Sequence, residues 1–396
     1  MRLEKSVVRF FTRAMTLTLA LVVCTALPVA ALACPFCSAP SLTLSEQVAQ
    51  ADVSVLVQWA KGKQGDSEAG DVGSTTYKIV EVMNAGDQSL AKGDDIELPR
   101  YRSGKEGDLF LLLGTKGTEL EWGSPIEITE TGFNYVRQAP SPEAAALVRL
   151  TYFVQFLEYP DELISNDAYA EFANAPYKDI VPLANELPRE QVREWLEDDD
   201  VAPTRLGLYG MLLGLCGNSE DAALMKEMIL HTTNDFRLGI DGVMGGYLLL
   251  TGEEGLAVID EHKLANRDVA FSETYAAMQA LRFMWTYGDR IDKERLRESM
   301  RILLDRAELA DLVIADLARW EDWSIIDRLM KLYGAEGYEI PSIKRAIVRY
   351  MLVASKNKPE DGQDDLHVAK AEEYLNQLRE QDPKTVQQAE RFFFVN

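Results

Sequence analysis

Histidine and cysteine are scarce in this 396-residue chain, which has three of the former and four of the latter. His231, His262 and His367 lie far apart, and no serine or cysteine near them stands in a nucleophile context. That leaves no triad, and a zinc site built on Cys34 and Cys37 would need two more ligands, whereas His231, His262, His367 and Cys216 all lie in the helical half. Basic charge is also short: 41 Lys and Arg face 64 Asp and Glu, for a net charge of −23. Such a chain repels phosphate backbones and anionic lipid, so nucleic acid is not an expected partner. The glycine-rich run "GVMGGYLLLTGEEG" (242–255) lacks the Gly-Lys-Ser/Thr ending of a phosphate loop, and no strand precedes it. The acidic run Glu197-Asp198-Asp199-Asp200 lacks the alternating ligands and distal glutamate of a calcium loop and reads as a solvated turn. No catalytic, metal-binding or cofactor-binding residue is therefore assigned.

One long apolar run is present, at the N-terminus. Arg2, Lys5, Arg9 and Arg13 precede an apolar stretch ending in Ala31-Leu32-Ala33, the small-x-small pattern of a signal peptide over residues 1–33. An uncleaved anchor is the alternative, since about 20 apolar residues span a bilayer. Thr16, Thr18, Thr25 and Pro28 weigh against it. The expectation is an exported protein, periplasmic or extracellular, with no stable membrane span after cleavage.

Two patterns divide the rest. Short β-branched or alternating runs at 51–60, 75–84, 94–101, 108–114 and 126–138 are separated by turn residues such as Ala85-Gly86-Asp87 and Lys116-Gly117. Five strands in so short a span suit a small closed barrel, because closure removes the edges. From Ser141-Pro142, an expected N-cap and first-turn pair, apolar residues recur at helical spacing to about Arg391.

The helical half contains a repeat. "RLGLYGMLLG" (205–214) returns as "RLGIDGVMGG" (237–246), superposing Gly207, Gly210 and Gly214 on Gly239, Gly242 and Gly246. Steps of three and four put each set on one helix face. Each interior glycine costs about 0.5–1 kcal/mol relative to alanine, so close approach of a neighbouring helix is expected in return. Weaker echoes at 272–288, 309–323 and 341–356 extend the series into an α-solenoid. Trp285, Trp320 and Trp323 with Tyr287 fall at helical spacing and read as core rather than as a ligand groove.

Cys34-Pro35-Phe36-Cys37 directly follows the leader. A thioredoxin-type site needs a preceding strand and a following helix to lower a thiol pKa, and neither is evident. Ser38 stands where haem attachment needs histidine, and Ala31 where lipidation of Cys34 needs a large aliphatic residue. A closed Cys34–Cys37 disulfide acting as a staple is the leading reading, since an exported chain meets oxidising conditions. Cys216, in an apolar helical setting, reads as a buried free thiol.

The order "CPFC", "ADVSVLVQWAKG", "YKIVEVMNAG", "GDDIELP", "GDLFLLLGTKG" resembles the netrin-like family, which includes the tissue inhibitors of metalloproteinases. The resemblance implies an OB-type β-barrel over residues 34–139. In those inhibitors the N-terminal cysteine's amine and carbonyl chelate a protease zinc, a role only Cys34 could take here. The family's pair is Cys-x-Cys with long-range disulfides, whereas this chain has Cys-x-x-Cys and no further cysteine in the barrel. Residues 140–391 resemble HEAT-type repeats, whose members bind proteins along a concave surface. The combined expectation is a five-stranded OB-type barrel followed by a HEAT-like solenoid. Its expected function is non-enzymatic binding or scaffolding of another exported or envelope protein. A thiol-disulfide oxidoreductase using Cys34 and Cys37, and a metalloprotease inhibitor acting through Cys34, are the alternatives.

Overall fold

The computed structural model describes residues 34–37, 41–66, 70–231, 235–357 and 366–391. The leader expected over 1–33 lies outside them.

A short helix α1 (Leu44–Gln50) precedes the strands. Thr43 caps it and Glu46 reaches back to the Thr43 amide, a reciprocal capping box that satisfies two orphan donors. Strands β1 (Val53–Lys63), β2 (Ser74–Asn84), β3 (Asp95–Leu98), β4 (Leu109–Lys116) and β5 (Leu120–Trp122) follow, all paired antiparallel in the order β3-β2-β1-β4-β5. The two-residue β6 (Ile126–Glu127) pairs with β4. Register shifts in β1 at Ser54/Val55, Leu56/Val57 and Trp59/Lys61 add the twist that curls the sheet.

The result is a nearly closed barrel around Val53, Val55, Val57, Tyr77, Ile79 and Phe110. Side chains bridge the remaining gap. Arg100 donates to Ser124 Oγ (3.2 Å) and Arg102 to Pro125 O and Glu127 Oε2 (3.2 Å each), drawing the end of β3 to the β5–β6 connection.

Leu56 and Leu111 point the other way and join the helical core, so β1 and β4 are apolar on both faces. This explains why "VLV" (55–57) and "LFLLL" (109–113) read as unbroken apolar runs rather than strict alternations.

Strands do not continue to 138 as the sequence pattern suggested. Thr129 accepts a hydrogen bond from the Gly132 amide and caps α2 (Glu130–Gln138), which buries Phe133, Tyr135 and Val136. Here an N-cap with an acid in the first turn overrides β-branched and aromatic propensity. Nor does the next helix begin at Ser141. Ser141 and Glu143 close a turn on themselves, and α3 (Ala146–Phe153) starts later.

Helices α4 (Glu162–Asn174), α5 (Tyr177–Ile180) and α6 (Arg189–Glu197) lead into the repeats. Helices α7 (Leu206–Cys216), α9 (Ile240–Thr251), α11 (Phe271–Tyr287), α13 (Ala310–Arg319) and α15 (Pro341–Ala354) form one layer. Between them run α8 (Ser219–Leu230), α10 (Glu253–Ile259), α12 (Lys293–Ile302) and α14 (Ile326–Leu332). Helices α16 (Leu366–Gln381) and α17 (Pro383–Arg391) cover α15. This is the stacked-pair arrangement of an α-solenoid.

Charged pairs hold successive turns in register. Arg237 meets Glu273 (Nε–Oε1 2.8 Å), Arg282 meets Asp316 (2.7 Å) and Arg301 meets Asp322 (2.6 Å), with each carboxylate buried. The forked guanidinium geometry specifies orientation as well as contact. No helix among the described residues is long and apolar enough to cross a membrane.

Candidate functional site: the disulfide clasp and its groove

The repeated glycines do bring two helices together. A Cβ on Gly246 would lie 1.9 Å from Gly210 O, and one on Gly242 would lie 2.1 Å from Gly207 O. One on Gly214 would lie 2.4 Å from Gly246 Cα. Backbone meets backbone along the α7–α9 seam. Gly239 adds a second requirement, with φ of +77° at the N-cap of α9.

The two repeat arginines act as clamps. Arg205 donates to Glu158 Oε1 and Asn166 Oδ1 at 2.7 Å each, back toward earlier helices. Arg237 reaches Met228 O (2.6 Å) and Glu273, forward onto α11.

Cys34 and Cys37 are joined, with Cα atoms 5.4 Å apart. Their surroundings differ from the expected start of a barrel, because the segment lies on the helices. The Cys34 amide donates to Ala173 O at the end of α4 (3.1 Å). Phe36 drops into the recess that Gly207 and Gly245 leave open: a Cβ on Gly245 would lie 2.6 Å from the ring's tip. The Phe36 ring sits 4.8 Å from that of Phe283, which packs on Tyr177 and Tyr287. Cys34 and Phe36 are only 6% and 8% exposed.

This geometry bears on the chemistry of the pair. The Cys34 amide is engaged with Ala173, and its carbonyl accepts from the Cys37 amide at 3.4 Å. Both atoms an inhibitor-type terminus would present to zinc are therefore already hydrogen-bonded, in a buried residue. Residues 35–37 form a turn rather than the first turn of a helix, so no helix N-terminus faces either sulfur.

Helix α1 is fastened to α4 by a buried polar cluster. Leu44 N–H and Tyr135 O–H donate to Asp167 at 2.6 and 2.8 Å, Ser45 donates to Glu171, and Arg149 pairs with Glu171. Burial, with Glu171 and Glu46 nearby, pushes the Asp167 carboxyl up to about 6 despite the two donors.

Beside the clasp is a cavity of about 450 Å³ whose lining includes Pro35, Cys37, Phe236, Leu238, Asp241 and Phe271. Phe236, Phe271 and Leu238 are 69%, 50% and 44% exposed, and Phe271 stacks on Tyr275. Asp241, in the first turn of α9, faces these rings with no ion-pair partner among the described residues. Burial holds its carboxyl above the usual carboxylate range. Three large apolar side chains exposed around one acid, with Arg237 beside them committed to Glu273, make an amphipathic groove.

The other residues singled out from sequence disperse. Tyr287 joins the Phe36–Phe283–Tyr177 cluster, Trp285 stacks on Trp320 at 4.3 Å, and Trp323 stacks on His367 at 5.6 Å. His231 ends α8, and His262 lies 3.9 Å from Glu261. Cys216 is a half-buried thiol raised to about 11 by burial and by Asp221. Among the described residues no group of three or more His, Cys, Asp or Glu is placed to hold a metal.

Phe36 and the groove were not identified from sequence. A phenylalanine at the centre of a two-cysteine turn, and Phe236 alone in the polar run "TTNDF", were the available signals.

Comparison with protein-family models, with curated proteins and with solved structures gives no match to this chain.

Proposed function

We propose that this protein is an exported, non-enzymatic binding or scaffolding protein of the cell envelope that grips partner proteins through its helical-repeat surface. The observation that carries the reading is the clasp groove, where Phe236, Leu238 and Phe271 stand exposed around Asp241. A soluble protein that leaves large apolar side chains clustered around a cavity offers a recognition site. Its occupant is an apolar peptide segment of the partner that carries one cationic side chain. The apolar walls supply the desolvation, and the lone Asp241 carboxylate supplies the charge complement.

The buried, hydrogen-bonded Cys34 backbone and the turn conformation of 35–37 support a structural role for the disulfide over oxidoreductase or inhibitor chemistry.

The test is fluorescence polarisation with a labelled peptide of leucines, phenylalanine and one lysine. Phe236→Ser/Phe271→Ser, both at exposed positions, is expected to weaken binding at least tenfold with an unchanged melting curve. Equal binding by the variant would remove the groove from the proposal.

A further inference from the structure

A second groove lies on the layer of α11, α13 and α15, well along the chain from the clasp. One cavity of about 520 Å³ is lined by Asp311, Leu312, Arg319, Ser342, Arg345 and Arg349, among others. A second, of about 550 Å³, shares Leu312, Ala315 and Arg319 with it and continues onto Arg282, Trp285 and Trp320. The two form one trough across three helices.

Its charge is the reverse of the molecule's. Many arginines elsewhere on the repeats are committed to carboxylates: Arg189 and Arg193 to Asp221, Arg237 to Glu273, Arg295 to Asp260 and Arg301 to Asp322. Arg345 and Arg349, one turn apart on α15, have no ion-pair partner among the described residues. Arg319 is 73% exposed and holds Asp316 at 3.0 Å, but that carboxylate is already bound by Arg282. Three guanidiniums thus face a trough containing one uncommitted acid, Asp311, in a chain of net charge −23.

We infer that this trough binds an acidic peptide segment of a partner in extended conformation. Arg345 and Arg349 stand about 5–6 Å apart as an i, i+4 pair. The pair lies along α15, so a segment crossing the trough brings one glutamate to both guanidiniums and presents the next, about 6.6 Å on at an alternate position of an extended strand, to Arg319 on α13. Guanidiniums accept carboxylates bidentately, which favours this pairing over a diffuse charge contact. Crossing two helix spacings of about 8–10 Å each takes about six extended residues. Leu312 lies midway, common to both cavities, and at the far end the rim of the Trp285–Trp320 stack receives an apolar side chain. The surrounding acidity repels a long phosphate polymer, whereas a short segment feels the local field of the trough.

The experiment is polarisation binding of a fluorescein-labelled heptapeptide with glutamate at alternate positions and a terminal leucine. Its controls are the same peptide with glutamines and a labelled oligothymidylate of similar length. The glutamate peptide is expected to bind at least tenfold more tightly than either control and to weaken as salt rises. Arg345→Gln/Arg349→Gln should lose at least tenfold, with melting and circular dichroism unchanged. If the double variant melts early, Arg349→Gln alone, at an exposed position, should still lose about threefold or more. Equal affinity for the glutamate and glutamine peptides would overturn the inference. So would tighter binding of the oligothymidylate, or variants that bind like the native chain.

Discussion

Gly246→Ala is the sharpest probe of the α7–α9 seam. Alanine is the better helix former by about 1 kcal/mol, so on propensity alone the change should stabilise. The seam opposes it. The new methyl carbon would start 1.9 Å from Gly210 O and 2.7 Å from its carbonyl carbon, where ordinary contact begins near 3.4 Å. Its closest neighbours are backbone, so no rotamer change relieves the clash and α7 must move away from α9. Overpacking a tight core costs about 1–3 kcal/mol, and a rigid neighbour places this site at the upper end. Net destabilisation of about 2 kcal/mol is the expected outcome. Gly245→Ala provides the internal comparison. Its methyl would meet the tip of the Phe36 ring and Phe283, side chains that can shift, so it should cost less. Urea denaturation followed by tryptophan fluorescence reads both as changes in midpoint at constant slope. If Gly246→Ala were as stable as the native chain, or more stable than Gly245→Ala, the close-approach explanation of the repeat would be wrong.

Two further outcomes follow from the clasp. Asp167 should make stability fall as pH rises from about 4 to 6, because the folded carboxyl keeps its proton to about 6 whereas the unfolded one releases it near 4. At about 1.4 kcal/mol per pH unit the span is about 2–3 kcal/mol, so Asp167→Asn should gain on the native chain over that window and plateau above it; a constant difference between the two from pH 4 to 8 would contradict this. Phe36→Ala should cost about 3 kcal/mol in denaturant midpoint, against about 2 kcal/mol or less for reducing the short Cys34–Cys37 loop; a larger effect from reduction would make the disulfide, not the ring, the main fastening.

Local patterns were legible where local forces decide the structure. The Arg-Leu-Gly-x-x-Gly return identified the seam because glycines on one helix face have few uses other than close packing. The runs at 51–60, 75–84 and 108–114 identified β1, β2 and β4 because β-branched residues buried on a sheet leave little choice. Two capping signals went unread: Thr43-x-x-Glu46 at α1, and Thr129-Glu130 at α2, where Phe133, Tyr135 and Val136 read as strand. The position of Cys34-Pro35-Phe36-Cys37 was not legible at all. Its contacts are with Ala173, Gly207, Gly245 and Phe283, more than a hundred residues away, and no periodicity encodes that distance. The groove depends on the same docking, since Pro35 and Cys37 form one wall and Phe236 and Phe271 another.

A partner segment that binds in the clasp groove must lie against Phe236 and Phe271. Photo-cross-linking tests this placement most directly, using the leucine, phenylalanine and lysine peptide with a benzophenone side chain and mapping adducts by mass spectrometry. Adducts are expected at 235–241 and 271–276 and should be lost when Phe236 and Phe271 are replaced by serine. Adducts spread over the barrel or the far repeats, or unchanged in that variant, would contradict it.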